Sequence, residues 1–74
     1  MKIGLIGLGR IGQVHLESLG SIDGVEVVCV SDINETLCQQ TVNKFNIPTY
    51  TLTYEDLISD PEVQAVWVCS PSNF

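Results

Sequence analysis

Three glycines near the start of the chain are spaced as in turns that bind a pyrophosphate group. Gly7, Gly9 and Gly12 form a Gly-x-Gly-x-x-Gly pattern, and Asp32 lies twenty positions after the last of them. In this pattern the first glycine allows a tight turn, the second lets the backbone approach the phosphates, and the third lets a helix pack closely on a strand. A carboxylate at this distance accepts hydrogen bonds from ribose hydroxyls. Together these residues predict a dinucleotide site.

The residues after the second glycine add a helix start to this site. The first amides of a helix have no partner within the helix, and they carry the positive end of its dipole. We therefore expect the amides of Gly9, Arg10 and Ile11 to face the phosphates. Arg10 either adds a direct positive charge to the site or lies in solvent, and the sequence leaves both open.

Asp32 also predicts which dinucleotide binds. A hydrogen bond from a ribose hydroxyl to its carboxylate contributes about 1.5–3 kcal/mol, whereas the same charge repels the 2′-phosphate of NADP. The next residues, Ile33, Asn34 and Glu35, include no arginine to receive that phosphate. The prediction is NAD over NADP, with Ile33 as a candidate contact of the adenine. The alternative is that Asp32 caps a helix or turn.

Strand-like and helix-like segments alternate along the whole chain, in the order β-α-β-α-β-α-β. Such alternation predicts an α/β fold with a parallel sheet and right-handed crossovers. The expected architecture is a partial Rossmann (doubly wound) sheet with strand order 3-2-1-4. The predicted strands cover residues 2–6, 25–30, 49–51 and 65–69, and the predicted helices cover about 10–19, 35–45 and 54–59.

Apolar periodicity and capping residues predict how the helices are placed. Gly20 is expected to cap the first helix at its end, Asn34 to cap the second at its start, and Thr53 to cap the third with help from Asp56. The residues expected to face the core from the first helix are Ile11, Val14, Ser18, Leu19 and Ile22, with Gln13 and Glu17 outward. Those expected to share one face of the second helix are Leu37, Thr41, Val42 and Phe45.

Composition excludes several classes of partner. The chain has 74 residues, a net charge of −6 and only three basic side chains, which argues against nucleic acid and against an anionic membrane surface. The cysteines Cys29, Cys38 and Cys69 form no CxxC pair, and His15 is the single histidine, so no zinc site is predicted. No apolar run reaches the ~18 residues of a membrane helix. We expect a cytoplasmic protein with its cysteines reduced.

The end of the fourth strand carries two further expectations. Ser70, Pro71 and Asn73 follow it at the carboxyl edge of the sheet, where ligands bind in open α/β folds, so we expect them near the nicotinamide; the alternative is a plain turn. The strand itself, with Val66 and Trp67, forms an open apolar edge. We expect either that the chain is a fragment or that it self-associates, through this edge or by domain swapping.

The chain resembles the Gfo/Idh/MocA oxidoreductases, and most of all their inositol 2-dehydrogenase branch. The resemblance lies in residues 7–12 and 14–15, in Val30-Ser-Asp32, and in residues 65–73, where a Ser-Pro-Ser-Asn sequence follows an apolar strand. It implies hydride transfer between NAD and a secondary alcohol of a cyclitol, a sugar or a similar polyol. Residues 1–74 would then be an incomplete dinucleotide-binding domain, with the substrate domain outside this chain.

The family's Glu-Lys-Pro motif with its catalytic lysine has no counterpart in this sequence, nor do its later histidine and aspartate. We therefore expect no turnover by these 74 residues alone. Two other hypotheses remain open at this point. One is a non-catalytic NAD-sensing module, and the other is a methyltransferase, although the glycine spacing favours a pyrophosphate.

Overall fold

Residues 1–69 are described by a computed structural model, with four strands and three helices in strict alternation. Each expected element is present, and most boundaries lie within one residue of the prediction. The elements in chain order are β1 (Lys2–Ile6), α1 (Arg10–Gly20), β2 (Glu26–Ser31), α2 (Glu35–Phe45), β3 (Thr49–Thr51), α3 (Tyr54–Ile58) and β4 (Ala65–Val68).

The strands form one parallel sheet in the order β3-β2-β1-β4, as predicted. β1 lies in the interior of the sheet, where Leu5 pairs with Val30 of β2 on one side and with Trp67 of β4 on the other. Parallel strands place their carboxyl ends at one edge of the sheet. The turns that follow β1 and β2, which hold the glycines and Asp32, are therefore neighbours.

The two faces of the sheet have different cores. On one face, Ile3 and Leu5 of β1 pack with Leu16 and Leu19 of α1 and with Cys38 of α2, all of them buried. On the other face, a smaller cluster centres on α3 and contains Ile6, Val28, Cys29 and Leu57. Since the larger core lies under α1 and α2, it holds the first turns of both helices against the carboxyl edge of the sheet.

The predicted core face of α1 is mostly wrong. Ile11, Val14 and Ile22 are 63%, 58% and 50% exposed, and Ser18 is exposed as well. The buried residues of α1 are Gly12, Leu16 and, as predicted, Leu19. The reason is Gly12: the close approach that its missing side chain permits turns this side of the helix toward β1, and the residues one turn further along follow it inward.

Gln13 was expected to face outward, and this is also wrong. Its side chain is half-buried, and its amide donates to the Leu8 carbonyl at 2.9 Å and to Thr41 Oγ1 at 3.0 Å. Rotating the buried face of α1 toward Gly12 carries the neighbouring Gln13 into the space between α1 and α2. The expected face of α2 is confirmed, since Thr41 is buried and Leu37, Val42 and Phe45 pack against the core; Cys38, which was not predicted there, is buried as well.

The predicted caps have mixed outcomes. Asn34 caps α2 as predicted, since its Oδ1 accepts from the Leu37 amide at 3.1 Å. Gly20 is the last residue of α1 rather than its cap, and Ser21 follows with φ −97°, so no left-handed residue ends this helix. Thr53 occupies the N-cap position of α3, but its hydroxyl donates to the Asp56 carboxylate at 2.8 Å instead of accepting from a backbone amide.

In the described part of the chain, β4 is one of the two edge strands of the sheet, the other being β3. β4 pairs with β1 alone, and Val66, Trp67 and Val68 are 38%, 40% and 59% exposed. Trp67 lies against His15 of α1, with ring centroids 6.5 Å apart. Within residues 1–69, every helix is too short to cross a membrane.

Candidate dinucleotide site

The turn after β1 depends on a glycine with a left-handed backbone. Gly7 has φ 95°, a conformation that side-chain-bearing residues adopt only with strain. Its amide donates to the Ser31 carbonyl at 2.9 Å, so the chain leaves β1 while still bonded to the end of β2. This contact brings the glycine turn beside Asp32, the residue after Ser31.

Gly12 allows α1 to lie directly on this turn. A Cβ atom at Gly12 would lie 2.0 Å from the Gly7 carbonyl oxygen and 3.6 Å from Leu5 Cδ2. The first distance is far inside van der Waals contact with backbone that cannot easily move. Gly12 therefore positions the helix start by packing, and it does not itself line the cleft described below.

Gly9 is different, because the space around it is open. It is the N-cap residue of α1, with φ −68°, and an added Cβ would meet nothing within 4 Å. No side chain caps this helix start, and no acidic residue occupies its first turn. Among the described residues, no side chain thus occupies the first amides of α1, as an anion-binding helix start requires.

The Asp32 carboxylate is held by two backbone amides. Oδ2 accepts from Leu8 in the glycine turn at 2.9 Å, and Oδ1 accepts from Asn34 at 3.0 Å. A carboxylate offers about four lone-pair positions, so the group is oriented and still has acceptor capacity. Asp32 therefore makes the turn contact that was the alternative interpretation, and this contact leaves acceptor positions for ribose hydroxyls.

A cleft of about 660 Å³ runs along this edge of the sheet. Six of the residues that sequence reasoning assigned to the cofactor line it: Gly7, Gly9, Arg10, Ile11, Asp32 and Ile33. Arg10 is exposed and forms no ion pair within residues 1–69. Ile33 is 91% exposed. Ser70, Pro71 and Asn73, the residues expected near the nicotinamide, lie outside the described residues.

Sequence reasoning missed several residues that line the cleft. These are Ile6, Ser31, Leu52, Tyr54 and Cys69. Leu52 and Tyr54 follow β3, and they are 41% and 42% exposed. The signal that could have found them is topological: in a parallel sheet with β3 next to β2, the segment after β3 must reach the same edge as Asp32.

Burial argues against a thiol nucleophile in the cleft. It raises the pKa of Cys69, which lines the cleft, above its ordinary value, and it raises the pKa of Cys29 to about 11. Both thiols are therefore protonated near neutral pH. With open helix amides at one point, an oriented carboxylate at another and apolar walls between, this cleft suits a ligand with phosphates, hydroxyls and a flat ring.

Known proteins resemble this chain in both sequence and fold. The model of the Gfo/Idh/MocA oxidoreductase family, described as having an NAD-binding Rossmann fold, matches residues 1–74. The chain is 41% identical over 73 residues to the myo-inositol 2-dehydrogenase of Thermotoga maritima, covering 99% of this chain and 22% of that protein. The chain thus spans about a fifth of the length of the relatives it matches.

Two solved structures extend the comparison. A probable dehydrogenase from Thermotoga maritima superposes with a TM-score of 0.94 and 40% identity, over 99% of this chain and 22% of that one. Myo-inositol dehydrogenase from Lactobacillus casei, solved in complex with NAD(H) and myo-inositol, superposes with a TM-score of 0.88 and 33% identity. The match covers 95% of this chain and 21% of that one. The chain belongs to the Gfo/Idh/MocA oxidoreductases, and it forms part of their NAD-binding Rossmann fold.

Proposed function

We propose that this chain binds NAD in the cleft, with the pyrophosphate at the start of α1 and the adenosine ribose at Asp32. The observation that carries the proposal is the shared position of the uncapped helix start and the oriented carboxylate, which line one cleft. The helix amides and dipole attract phosphate, so binding does not require the chain's net charge, −6, to be positive. Arg10, exposed beside this start, adds a local positive charge.

The walls of the cleft support a place for the adenine. Ile33, Leu52 and Tyr54 present exposed apolar surface at the end of the cleft that follows β2 and β3, and predominantly apolar walls with few polar groups are usual for ligand sites. Gly7 and Gly12 shape the turn. Ser70, Pro71 and Asn73 are proposed to lie near the nicotinamide, because in the sequence they come after β4, whose carboxyl end is at the same edge as those of β1 and β2.

We further propose that the protein is a dehydrogenase acting on a secondary alcohol of a cyclitol or sugar. Support comes from the relatives, which are named for inositol oxidation. Bound NAD would accept a hydride at its nicotinamide ring. Because the chain has no Glu-Lys-Pro motif, its part in that reaction is to bind and orient the cofactor, and these 74 residues alone should not turn over a substrate.

A calorimetric titration of the chain with NAD and with NADP tests the binding proposal. We expect NAD to bind more tightly, and Asp32→Asn to weaken NAD by about 10- to 100-fold, since charge-assisted hydrogen bonds are lost. The affinity for NADP should fall less, because the variant no longer repels its 2′-phosphate. Asp23→Asn, at an exposed site outside the cleft, is the matched control. An unchanged ratio of NAD to NADP affinity in Asp32→Asn would contradict the role of Asp32.

A separate proposal concerns self-association through β4. Its outer edge is unpaired in the described residues, and Val68 is 59% exposed; open strand edges pair readily with other strands. Sedimentation over a range of concentrations should show dimers that Val68→Lys disrupts. A single monomeric species at every concentration contradicts it.

The cysteines support a cytoplasmic location, which we propose for this protein. Cys29, Cys38 and Cys69 are free thiols, and such cysteines persist in reducing compartments. Cell fractionation checks the location, and recovery with secreted proteins would contradict it.

A further inference from the structure

Gln13 connects the glycine turn to α2. Its amide nitrogen donates to the Leu8 carbonyl at 2.9 Å and to Thr41 Oγ1 at 3.0 Å. Its backbone amide donates to the Gly9 carbonyl at 3.0 Å. Leu8 in turn donates its own amide to Asp32 Oδ2 at 2.9 Å. The Gln13 side chain thus holds Leu8, and Leu8 in turn holds the Asp32 carboxylate, which is proposed to bind the ribose.

The same connection closes into a ring through the start of α2. Thr41 Oγ1 donates to the Leu37 carbonyl at 2.7 Å. The Leu37 amide donates to Asn34 Oδ1 at 3.1 Å, and the Asn34 amide donates to Asp32 Oδ1 at 3.0 Å. Both oxygens of the carboxylate are therefore bonded within a single circuit of six hydrogen bonds.

The donors and acceptors around this ring are consistent. The Leu8 carbonyl can only accept, which requires the nitrogen end of the Gln13 amide to face it. The Thr41 hydroxyl donates its proton to the Leu37 carbonyl, so its oxygen can only accept from the Gln13 amide. Thr41 is 2% exposed, and hydrogen bonds shielded from water are electrostatically stronger. The bonds of Gln13, Thr41 and Leu8 are therefore partly shielded from water, whereas the two bonds of Asn34 are exposed.

Holding the Leu8 carbonyl also orients the Gly9 amide. The described chain has no cis peptide, and in a trans peptide the carbonyl and the following N–H point in opposite directions. We propose that Gln13 is a positioning residue for the dinucleotide, which sets the Gly9 amide and, through Leu8, the Asp32 carboxylate in one arrangement. This inference rests on the proposed NAD site and assigns it a residue that touches no cofactor.

Gln13→Met tests this role, because it keeps the side-chain length and removes the donor. Titration with NAD and NADP should show NAD affinity falling about tenfold, and the ratio of NAD to NADP affinity should fall with it, because Asp32 is no longer held. Hydrogen exchange at the Leu8 amide should become faster in the absence of cofactor. Gln40→Met, at an exposed position of α2, is the matched control and should behave as wild type.

Thr41 gives a second pair of variants in case Gln13→Met does not fold. Thr41→Val keeps the shape of the side chain but removes the acceptor of Gln13, whereas Thr41→Ser keeps the hydroxyl. We expect Thr41→Val to lower the ratio of NAD to NADP affinity about threefold. Thr41→Ser should keep this ratio at the wild-type value. A residue that only stabilises the fold would lower the unfolding midpoint and leave that ratio unchanged.

The outcomes separate this inference from the proposed function. If the wild-type chain binds NAD and the ratio is the same in Gln13→Met and Thr41→Val, the positioning role is wrong and the site stands. If the wild-type chain binds neither dinucleotide, the proposed function fails and the inference fails with it. A falling ratio with faster exchange at Leu8 supports both.

Discussion

The first turns of α1 and α2 lie at the same edge of the sheet and are built differently. α2 starts with Asn34, whose side chain bonds the Leu37 amide, and with Glu35, whose charge suits the positive end of the dipole. α1 starts with Gly9 and then Arg10, with no side-chain cap and no acidic residue in its first turn. A capped start is complete within the chain, whereas an open one is stabilised by an added anion.

The glycines repeat this contrast on a smaller scale. Gly12 has no room for a side chain, since a Cβ would lie 2.0 Å from the Gly7 carbonyl oxygen, whereas Gly9 and Gly20 have open space. Space at Gly20 has no evident use, because it is at the far end of α1. Space at Gly9 lies at the cleft, where the backbone of the helix start is accessible. Packing thus explains Gly12, whereas the open space at Gly9 fits the proposed dinucleotide.

Gly12→Ala should have the largest effect, because it removes the contact that places the open helix start. The added methyl group meets backbone, and overpacking of this kind costs about 3 kcal/mol of unfolding free energy. Urea unfolding measures the loss. Gly20→Ala in the same helix is the control, and it should stabilise the chain by about 0.5 kcal/mol. Equal effects of the two substitutions would contradict the packing role of Gly12.

Gly9→Asp should make the start of α1 resemble that of α2. The extended backbone at Gly9, with ψ −164°, suits an N-cap side chain, so stability should rise by about 0.5 kcal/mol. NAD affinity should fall about 100-fold, because the new charge repels the pyrophosphate. The counterpart Asn34→Ala should lower the unfolding free energy by about 1 kcal/mol. Undiminished NAD affinity in Gly9→Asp would remove the basis of the comparison.

High pH should destabilise the sheet through Cys29, which packs on the face opposite α1 and α2. Burial raises the pKa of Cys29 to about 11 from an ordinary value of 9.0, so the unfolded chain loses this proton first. The contribution of the protonated Cys29 thiol to the free energy of unfolding is fully present below pH 9. Between pH 9 and pH 11 the free energy of unfolding falls by about 2 kcal/mol. Unfolding midpoints across this range measure it. Cys29→Ala should flatten the decline, and an equally steep decline in that variant would contradict the assignment.

Much of the fold was predictable, because local patterns encode it. Gly7 ends β1 with the positive φ that a tight turn requires, and Asn34 caps α2 at its start as predicted. Apart from Leu19, the buried face of α1 was not predicted, because two apolar stripes compete on that helix. The stripe with more β-branched residues contains Ile11 and Val14, and the buried stripe begins at a glycine, which carries no hydrophobic signal.

The candidate site was predictable to a similar degree. The glycine spacing and Asp32 suffice to locate the cleft, since both follow strands that end at one edge. Leu52 and Tyr54 carry no motif, and they join the cleft because β3 pairs with β2. The bond from Leu8 to Asp32 spans 24 positions, and no spacing rule predicts which backbone amide a carboxylate will meet.

By itself, the sequence determined the order of the elements, the parallel sheet with its strand order, and the position of the glycine turn before a helix. These follow from turn chemistry and from periodicity, which act over a few residues. Only the tertiary structure decided which side of α1 is buried, how the ring through Gln13 and Thr41 closes, and which residues after β3 reach the cleft. Each of these depends on contacts between segments distant in the chain, where packing geometry rather than local preference selects the partner.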